Sequence, residues 1–156
     1  MIKGTAVCIG EDIDTDMIIA GRYLRTKDRR VWAEHVFEDL NPGLAERLNG
    51  AVIIAGKNMG CGSSREQAPV ALKEAGVVAV IAPTFARIFF RNAINVGLPL
   101  LETEGISCRD DDEVTISLKE GWAEVAGERY TGAALSPHMQ EILDAGGLVP
   151  YWRKKR

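Results

Sequence analysis

The stretch AVIIAGKNMGCGSSREQAPVALKEAGVVAVIA, residues 51–82, decides how this chain folds. Ala51 to Ala55 is an apolar run of strand length. Val77 to Ala82 is a second such run, rich in β-branched residues and bounded by Pro83. Between them lie a glycine-rich loop, Gly56 to Ser64, and a helical pattern that reaches Ala75, with Gly76 placed just past the helix end. Strand, helix and strand in this order predict a right-handed βαβ unit whose strands are parallel and buried on both faces.

Upstream, Thr5 to Ile9 reads as a short strand and residues 10–30 as a charged loop. Val31 to Leu40 carries Trp32, Val36, Phe37 and Leu40 at helical spacing, and Asn41-Pro42-Gly43 stops it; Leu44 to Leu48 adds a further turn. Downstream, Thr84 is placed to cap a helix from Phe85 to Asn95, which Gly97 and Pro99 end. Glu113 to Leu118 alternates, and Trp122 to Ala126 and Arg129 to Thr131 flank a Gly127–Glu128 turn. Ser136-Pro137 starts a last helix and Gly146 ends it. The expectation is one mixed α/β domain over residues 1–156, a βαβ core with extra antiparallel strands.

An apolar share of 46% and a charged share of 26% are those of an ordinary soluble globular protein. A net charge of −3 and a pI near 5.5 argue against nucleic acid, which attracts a basic face. The basic tail Arg153-Lys154-Lys155-Arg156 reads as a solvated end. No run approaches the roughly 18–20 apolar residues of a membrane helix. Met1 to Asp16 lacks the basic start and apolar run of a signal peptide. Cys8, Cys61 and Cys108 are odd in number, widely spaced and without a CxxC pair. That pattern suggests a reducing cytoplasm, no disulfide framework, and no self-contained zinc or iron–sulfur site.

The chemistry is expected in Gly56-Lys57-Asn58-Met59-Gly60-Cys61-Gly62-Ser63-Ser64-Arg65-Glu66-Gln67. It sits where a buried strand gives way to a helix, the edge at which parallel α/β sheets bind ligands. Free N–H groups and a helix N-terminus favour an anion there, and Arg65 adds a cationic fork suited to a carboxylate. Two capping boxes overlap, Ser63 with Glu66 and Ser64 with Gln67. If Ser64 caps, Ser63 is left free at the loop mouth. Pro69 conflicts with a helix starting that early, because it lacks an N–H; either the first turn is irregular or the helix starts later. The pattern is neither a Walker A loop nor a nucleophile elbow. Read without further context, a plain strand–turn–helix connection fits as well.

Gly60-Cys61-Gly62-Ser63-Ser64-Arg65-Glu66 closely resembles the Gly-Ser-Ser-Arg-Glu signature of the swivelling domain of the aconitase superfamily. Asp14-Thr15-Asp16, followed by Ile18, Ile19 and Tyr23-Leu24, resembles that family's N-terminal motif. Ala82-Pro83-Thr84-Phe85-Ala86-Arg87-Ile88-Phe89 resembles its next helix entry. The motifs keep the family's order over roughly residues 1–150, at the length of its stand-alone small subunits. The resemblance implies a three-layer β/β/α swivelling domain with a mixed sheet around a central βαβ unit. It also implies a hydro-lyase subunit active only with a large subunit that carries a [4Fe–4S] cluster, as a heterodimer or heterotetramer. This chain would itself bind no cofactor or metal. The substrate would be a small hydroxy-dicarboxylate or tricarboxylate. Isopropylmalate ranks first, with homoaconitate and a dimethylmalate-like acid behind it. Ser63 matches the family's catalytic serine, an alkoxide base; Ser64 and Arg65 match its substrate contacts.

Tyr23-Leu24-Arg25-Thr26 is the second candidate, an exposed basic loop by composition. In the family this loop selects the substrate's variable arm, so Arg25 and Thr26 are expected at the substrate, with Arg25 suited to an extra carboxylate. Asp12, Asp14 and Asp16 fail as a calcium loop at Met17 and Tyr23, and read instead as turn-fixing side chains. His35 and His138 are far from the loop in sequence. Two other readings stay open: a non-catalytic anion-binding regulatory domain, and a redox role for Cys61 beside a helix start.

Overall fold

The computed structural model describes residues 1–154. The elements run β1 (Ile2–Cys8), α1 (Thr15–Ile18), α2 (Arg29–Glu34), β2 (Ala51–Ile54), α3 (Gln67–Glu74), β3 (Ala79–Ala82) and α4 (Arg87–Asn95). Then follow β4 (Leu100–Glu102), β5 (Glu113–Ser117), β6 (Trp122–Val125), β7 (Glu128–Thr131), α5 (Pro137–Asp144) and α6 (Leu148–Lys154). Short 3₁₀ turns occupy Gly21–Tyr23 and Leu44–Arg47. One seven-stranded sheet has the order β4-β3-β2-β1-β5-β6-β7. Strands β1 to β4 are parallel, and β5, β6 and β7 extend the sheet antiparallel.

The expected central unit is present: β2 and β3 pair in parallel across α3, and every residue of both strands is buried. Period-2 alternation shows why neither strand has a polar face. Ala51 and Ile53, with Val80 and Ala82, pack toward Trp32, Leu72 and Phe89 of the helices. Val52 and Ile54, with Ala79 and Ile81, pack against Val114, Ile116, Ala123 and Val125 of β5 and β6. The antiparallel end of the sheet therefore curls over the back of the parallel half, giving the helix, strand and strand layers of a β/β/α domain. The curl brings the two sheet edges together. Glu102, ending β4, bridges Ala133 just beyond β7, whose amide donates to the Glu102 carbonyl at 2.9 Å.

Several local expectations change. α3 starts at Gln67, after Glu66 in the cap position, so neither Ser63 nor Ser64 caps it. Pro69 is the reason: from Gln67 it is the third helical residue, where the N–H has no intrahelical partner anyway. Thr84 does not cap α4, whose cap position is Ala86; its hydroxyl instead accepts the Asn58 amide at 2.8 Å. α2 ends at Glu34, and Phe37 adopts φ 60°, so the apolar spacing to Leu40 continues through turns. The β6–β7 hairpin turns on Ala126 and Gly127, both at positive φ, one residue earlier than expected. β4, three residues long, and α6, which carries Pro150 in its first turn, were not expected. The Ser136 cap and Pro137 start of α5 form as expected.

The cysteine reading is overturned. Cys8 and Cys108 form a disulfide across a separation of 100 residues. Sequence spacing carried no hint of it, because the curl brings the end of β1 against the segment before β5. There the Cys8 amide donates to Asp110 Oδ1 at 2.8 Å and Ala6 exchanges hydrogen bonds with Asp111 and Asp112. The argument from cysteine usage for a reducing compartment falls with it. Among the described residues no helix is long and apolar enough to cross a membrane. Arg153 and Lys154 are exposed; Lys155 and Arg156 lie outside the described residues.

Candidate active site

The glycine-rich loop leaves β2 at the carboxyl end of the parallel strands and is tied to the exits of both neighbours. Toward β3, the Met59 amide donates to the Thr84 carbonyl at 3.1 Å and the Ala86 amide to the Met59 carbonyl at 3.0 Å. Toward β1, the Gly60 amide donates to Ile13 at 2.8 Å, and the Thr15 amide to Cys61 at 2.8 Å. Three strand exits thus form one surface, where ligands bind in such sheets.

Asp14-Thr15-Asp16 grips the loop with three successive residues. Asp14 caps α1, accepting the Asp16 amide at 2.7 Å, and its carboxylate lies against Gly62. Gly62 has φ 90°, and a Cβ there would stand 2.3 Å from Asp14 Oδ2, so both conformation and space require glycine. The Thr15 hydroxyl, on a residue only 2% exposed, donates to the Ser63 carbonyl at 2.7 Å. Asp16 Oδ1 meets Arg65 Nη2 at 2.6 Å, and Arg65 Nη1 reaches the Ile19 carbonyl at 3.5 Å. These two anchors leave the guanidinium partly covered with N–H donors to spare.

Ser63 and Ser64 are exposed at the loop's tip. The Ser63 carbonyl is anchored by Thr15, and neither serine serves as the helix cap on which the free-serine reading depended. Arg65 is brought beside the second candidate segment: a Cβ on Gly21 would lie 3.4 Å from its Nη1. Arg25 is exposed; the Thr26 hydroxyl accepts the Asp28 amide at 3.1 Å, and Asp28 caps α2. Beneath that segment, Glu38 accepts from the Tyr23 hydroxyl and from Arg22 and pairs with His35. Tyr23 stacks on His35 with ring centroids 4.1 Å apart, and the Trp32 indole N–H donates to the Tyr23 carbonyl at 3.0 Å. Bonds from Tyr23, Arg22 and His35 hold the Glu38 carboxyl down to about 2. Arg22 also lowers Asp39, and the bond to Glu38 raises the Tyr23 hydroxyl.

Thr15 and Asp16 are the site residues that sequence reasoning missed. Their motif was read as turn-fixing, which holds for Asp14 alone. Asp12 turns instead to Asn58 Nδ2 at 3.1 Å, so the three aspartates face three different partners rather than one cation. The helix start that the Cys61 redox reading placed beside it lies further on, at Gln67, and burial first, then Asp14 and Asp12, push its thiol up, which disfavours the thiolate. His35 belongs to the Glu38 cluster and His138 meets Tyr151 edge-on, away from Ser63.

A family model described as the aconitase C-terminal domain matches residues 10–104, which hold every contact of this loop described above. The chain belongs to that family. This aconitase C-terminal domain is 49% identical to a 3-isopropylmalate dehydratase small subunit of Moorella thermoacetica, over 99% of the chain and 96% of that protein. It is 50% identical to the methanogen homoaconitase small subunit of Methanothermobacter thermautotrophicus, over 99% and 92%. A crystal structure of 3-isopropylmalate dehydratase from Methanocaldococcus jannaschii superposes with a TM-score of 0.93 at 44% identity, covering 99% of this domain and 94% of that chain. The three-layer fold expected of an aconitase-type domain is therefore the fold observed.

Proposed function

We propose that this chain is the small subunit of a two-subunit hydro-lyase that interconverts 2- and 3-isopropylmalate by dehydration and rehydration, a step of leucine synthesis. The observation that carries the reading is the loop itself. Asp14, Thr15 and Asp16 clamp it from behind, while Ser63, Ser64 and Arg65 stand at the open carboxyl edge of the sheet. Ser63, as alkoxide, removes the proton from the carbon beside a substrate carboxylate; the hydroxyl departs from the neighbouring carbon and a double bond forms. Water then adds back with the two positions exchanged. Arg65 and Ser64 hold the carboxylate that stabilises the charge developing beside it. The described residues bring no three His, Cys, Asp or Glu side chains into a metal-binding group. A [4Fe–4S] cluster held by the large subunit would supply a Lewis acid for the leaving hydroxyl. The working unit is a heterodimer or heterotetramer.

One observation favours a second substrate. Arg25 and Thr26 stand on a segment whose base is fixed by Glu38, and an exposed Arg25 suits the extra carboxylate of homoaconitate better than an isopropyl arm. Methanogen homoaconitase is as similar as the isopropylmalate enzymes. A substrate panel on the pair reconstituted with its large subunit separates them, dimethylmalate included. Ser63→Ala should lower kcat by about 10²–10⁴-fold while the pair still assembles; turnover kept at the wild-type rate removes Ser63 from the chemistry. Absence of turnover on the whole panel by an assembled pair, with small carboxylates bound by this chain alone, would support the anion-binding regulatory alternative instead.

A further inference from the structure

A cavity of about 500 Å³ opens between α4, α5 and the end of β4, and none of the residues of the glycine-rich loop lines it. Its size falls within the roughly 300–1,000 Å³ of small-molecule sites. Its lining follows α4 from Arg87 to Asn95 and includes Glu102, the last residue of β4.

Its floor is apolar. Ile94 and Ile142 are buried, and Phe90, Met139 and Leu148 are half-buried around them. Its rim is ionic. Arg87 and Arg91 stand one turn apart on one face of α4, both exposed, with Glu102 on the wall made by β4. None of the ion pairs among the described residues uses Arg87, Arg91 or Glu102. Two like charges at i and i+4 repel, and an anion shared between them relieves that repulsion. A guanidinium pair matches a carboxylate in shape as well as charge. Glu102 sets the other polarity: a second anionic group on the ligand would face it, whereas an ammonium group would pair with it.

We infer that this cavity binds an α-amino acid with a large apolar side chain, its carboxylate on Arg87 and Arg91, its ammonium on Glu102 and its side chain on the Ile94–Ile142 floor. A dicarboxylate lacks the group Glu102 requires, and a simple amine lacks the one the arginines require. The site is separate from the Ser63 loop and does not depend on the hydro-lyase reading.

Titration calorimetry on the full chain tests this, with L-leucine, L-methionine and L-phenylalanine as probes. At least one should bind saturably with one site. Its analogues lacking the amino group (4-methylpentanoate for leucine) or the carboxylate (3-methylbutylamine) should bind about tenfold more weakly or worse. Arg91→Ala and Arg87→Ala should each weaken the amino acid by about tenfold without moving the melting temperature of the free chain, since both side chains are exposed. Glu102→Gln should remove the advantage of the amino acid over its des-amino analogue and leave the analogue's affinity unchanged. Arg65→Ala, in the other site, should change nothing here. No binding of any probe up to about 10 mM, or binding indifferent to Arg87 and Arg91, overturns the assignment. So does equal affinity for an amino acid and its des-amino analogue.

Discussion

Replacing Thr15 with valine tests the clamp at its most exposed point of failure. Valine keeps the β-branched shape, the burial of a residue only 2% exposed, and the amide that donates to Cys61. Only the hydroxyl is lost, and with it the 2.7 Å bond to the Ser63 carbonyl. A single intramolecular hydrogen bond contributes about 0.5–1.5 kcal/mol net, and the freed carbonyl lies on a loop that water reaches, so the loss should be roughly 1 kcal/mol. At a urea slope of about 1–3 kcal/mol/M, the unfolding midpoint should fall by roughly 0.3–1 M. Turnover should fall further than stability. The other bond to that carbonyl comes from the Arg65 amide, two residues away, and moves with the loop. A displacement of order 1 Å at a reacting group costs about 10²-fold, so kcat of the reconstituted pair should drop between tenfold and a hundredfold with KM nearly unchanged. Thr15→Ser retains the donor and should retain most of kcat. If valine shifts the midpoint yet turns over at the wild-type rate, the bond supports the fold alone. If serine falls as far as valine, the hydroxyl and its bond to the Ser63 carbonyl are not enough to hold the loop.

Other perturbations reach other parts of the molecule. Gly62→Ala forces a side chain to φ 90° and against the Asp14 carboxylate; a loss of about 2 kcal/mol or more, a fall in Tm of roughly 4–8 °C, should follow in a thermal melt. Asp14→Ala in the same chain should recover part of that loss. The Glu38 carboxyl, held at about 2 against an ordinary value near 4.5, stabilises the fold fully above pH 4.5; this contribution fades as pH falls toward 2. Urea midpoints between pH 5 and 2.5 should therefore decline less steeply for Glu38→Gln than for the wild type. An identical decline would remove Glu38 from the acid response. Reducing Cys8–Cys108, which closes a span of 100 residues, should lower stability by roughly 3–5 kcal/mol; an unmoved urea midpoint under dithiothreitol would refute this.

The parallel half of the fold was legible because β2 and β3 are buried on both faces, so their sequences are uninterrupted apolar runs, and Gly76 marks the helix end between them. β4 was not legible: its three residues are too few for a period to show, and its place is set by pairing with β3. Pro69 signalled correctly that α3 starts later than its serines suggest, and α6 tolerates Pro150 in its first turn. The disulfide was out of reach, since only the curl of the sheet makes residues 8 and 108 neighbours.

The loop's chemistry was half visible for a related reason. Ser63, Ser64 and Arg65 could be picked out because glycines, hydroxyls and a cation after a buried strand are locally unusual. Their orientation depends on residues 46 to 49 positions earlier, at the exit of an adjacent strand, and no local pattern couples the two segments. The coupling is nevertheless strict: residue 14 fills the space a side chain at 62 would need, residue 15 holds the carbonyl of 63, and residue 16 holds the cation of 65. Such an arrangement places the cost of ordering the loop on the folding of the sheet rather than on the arrival of substrate. An exposed serine can then be held in one place without being buried, and the face it presents stays open to a second polypeptide.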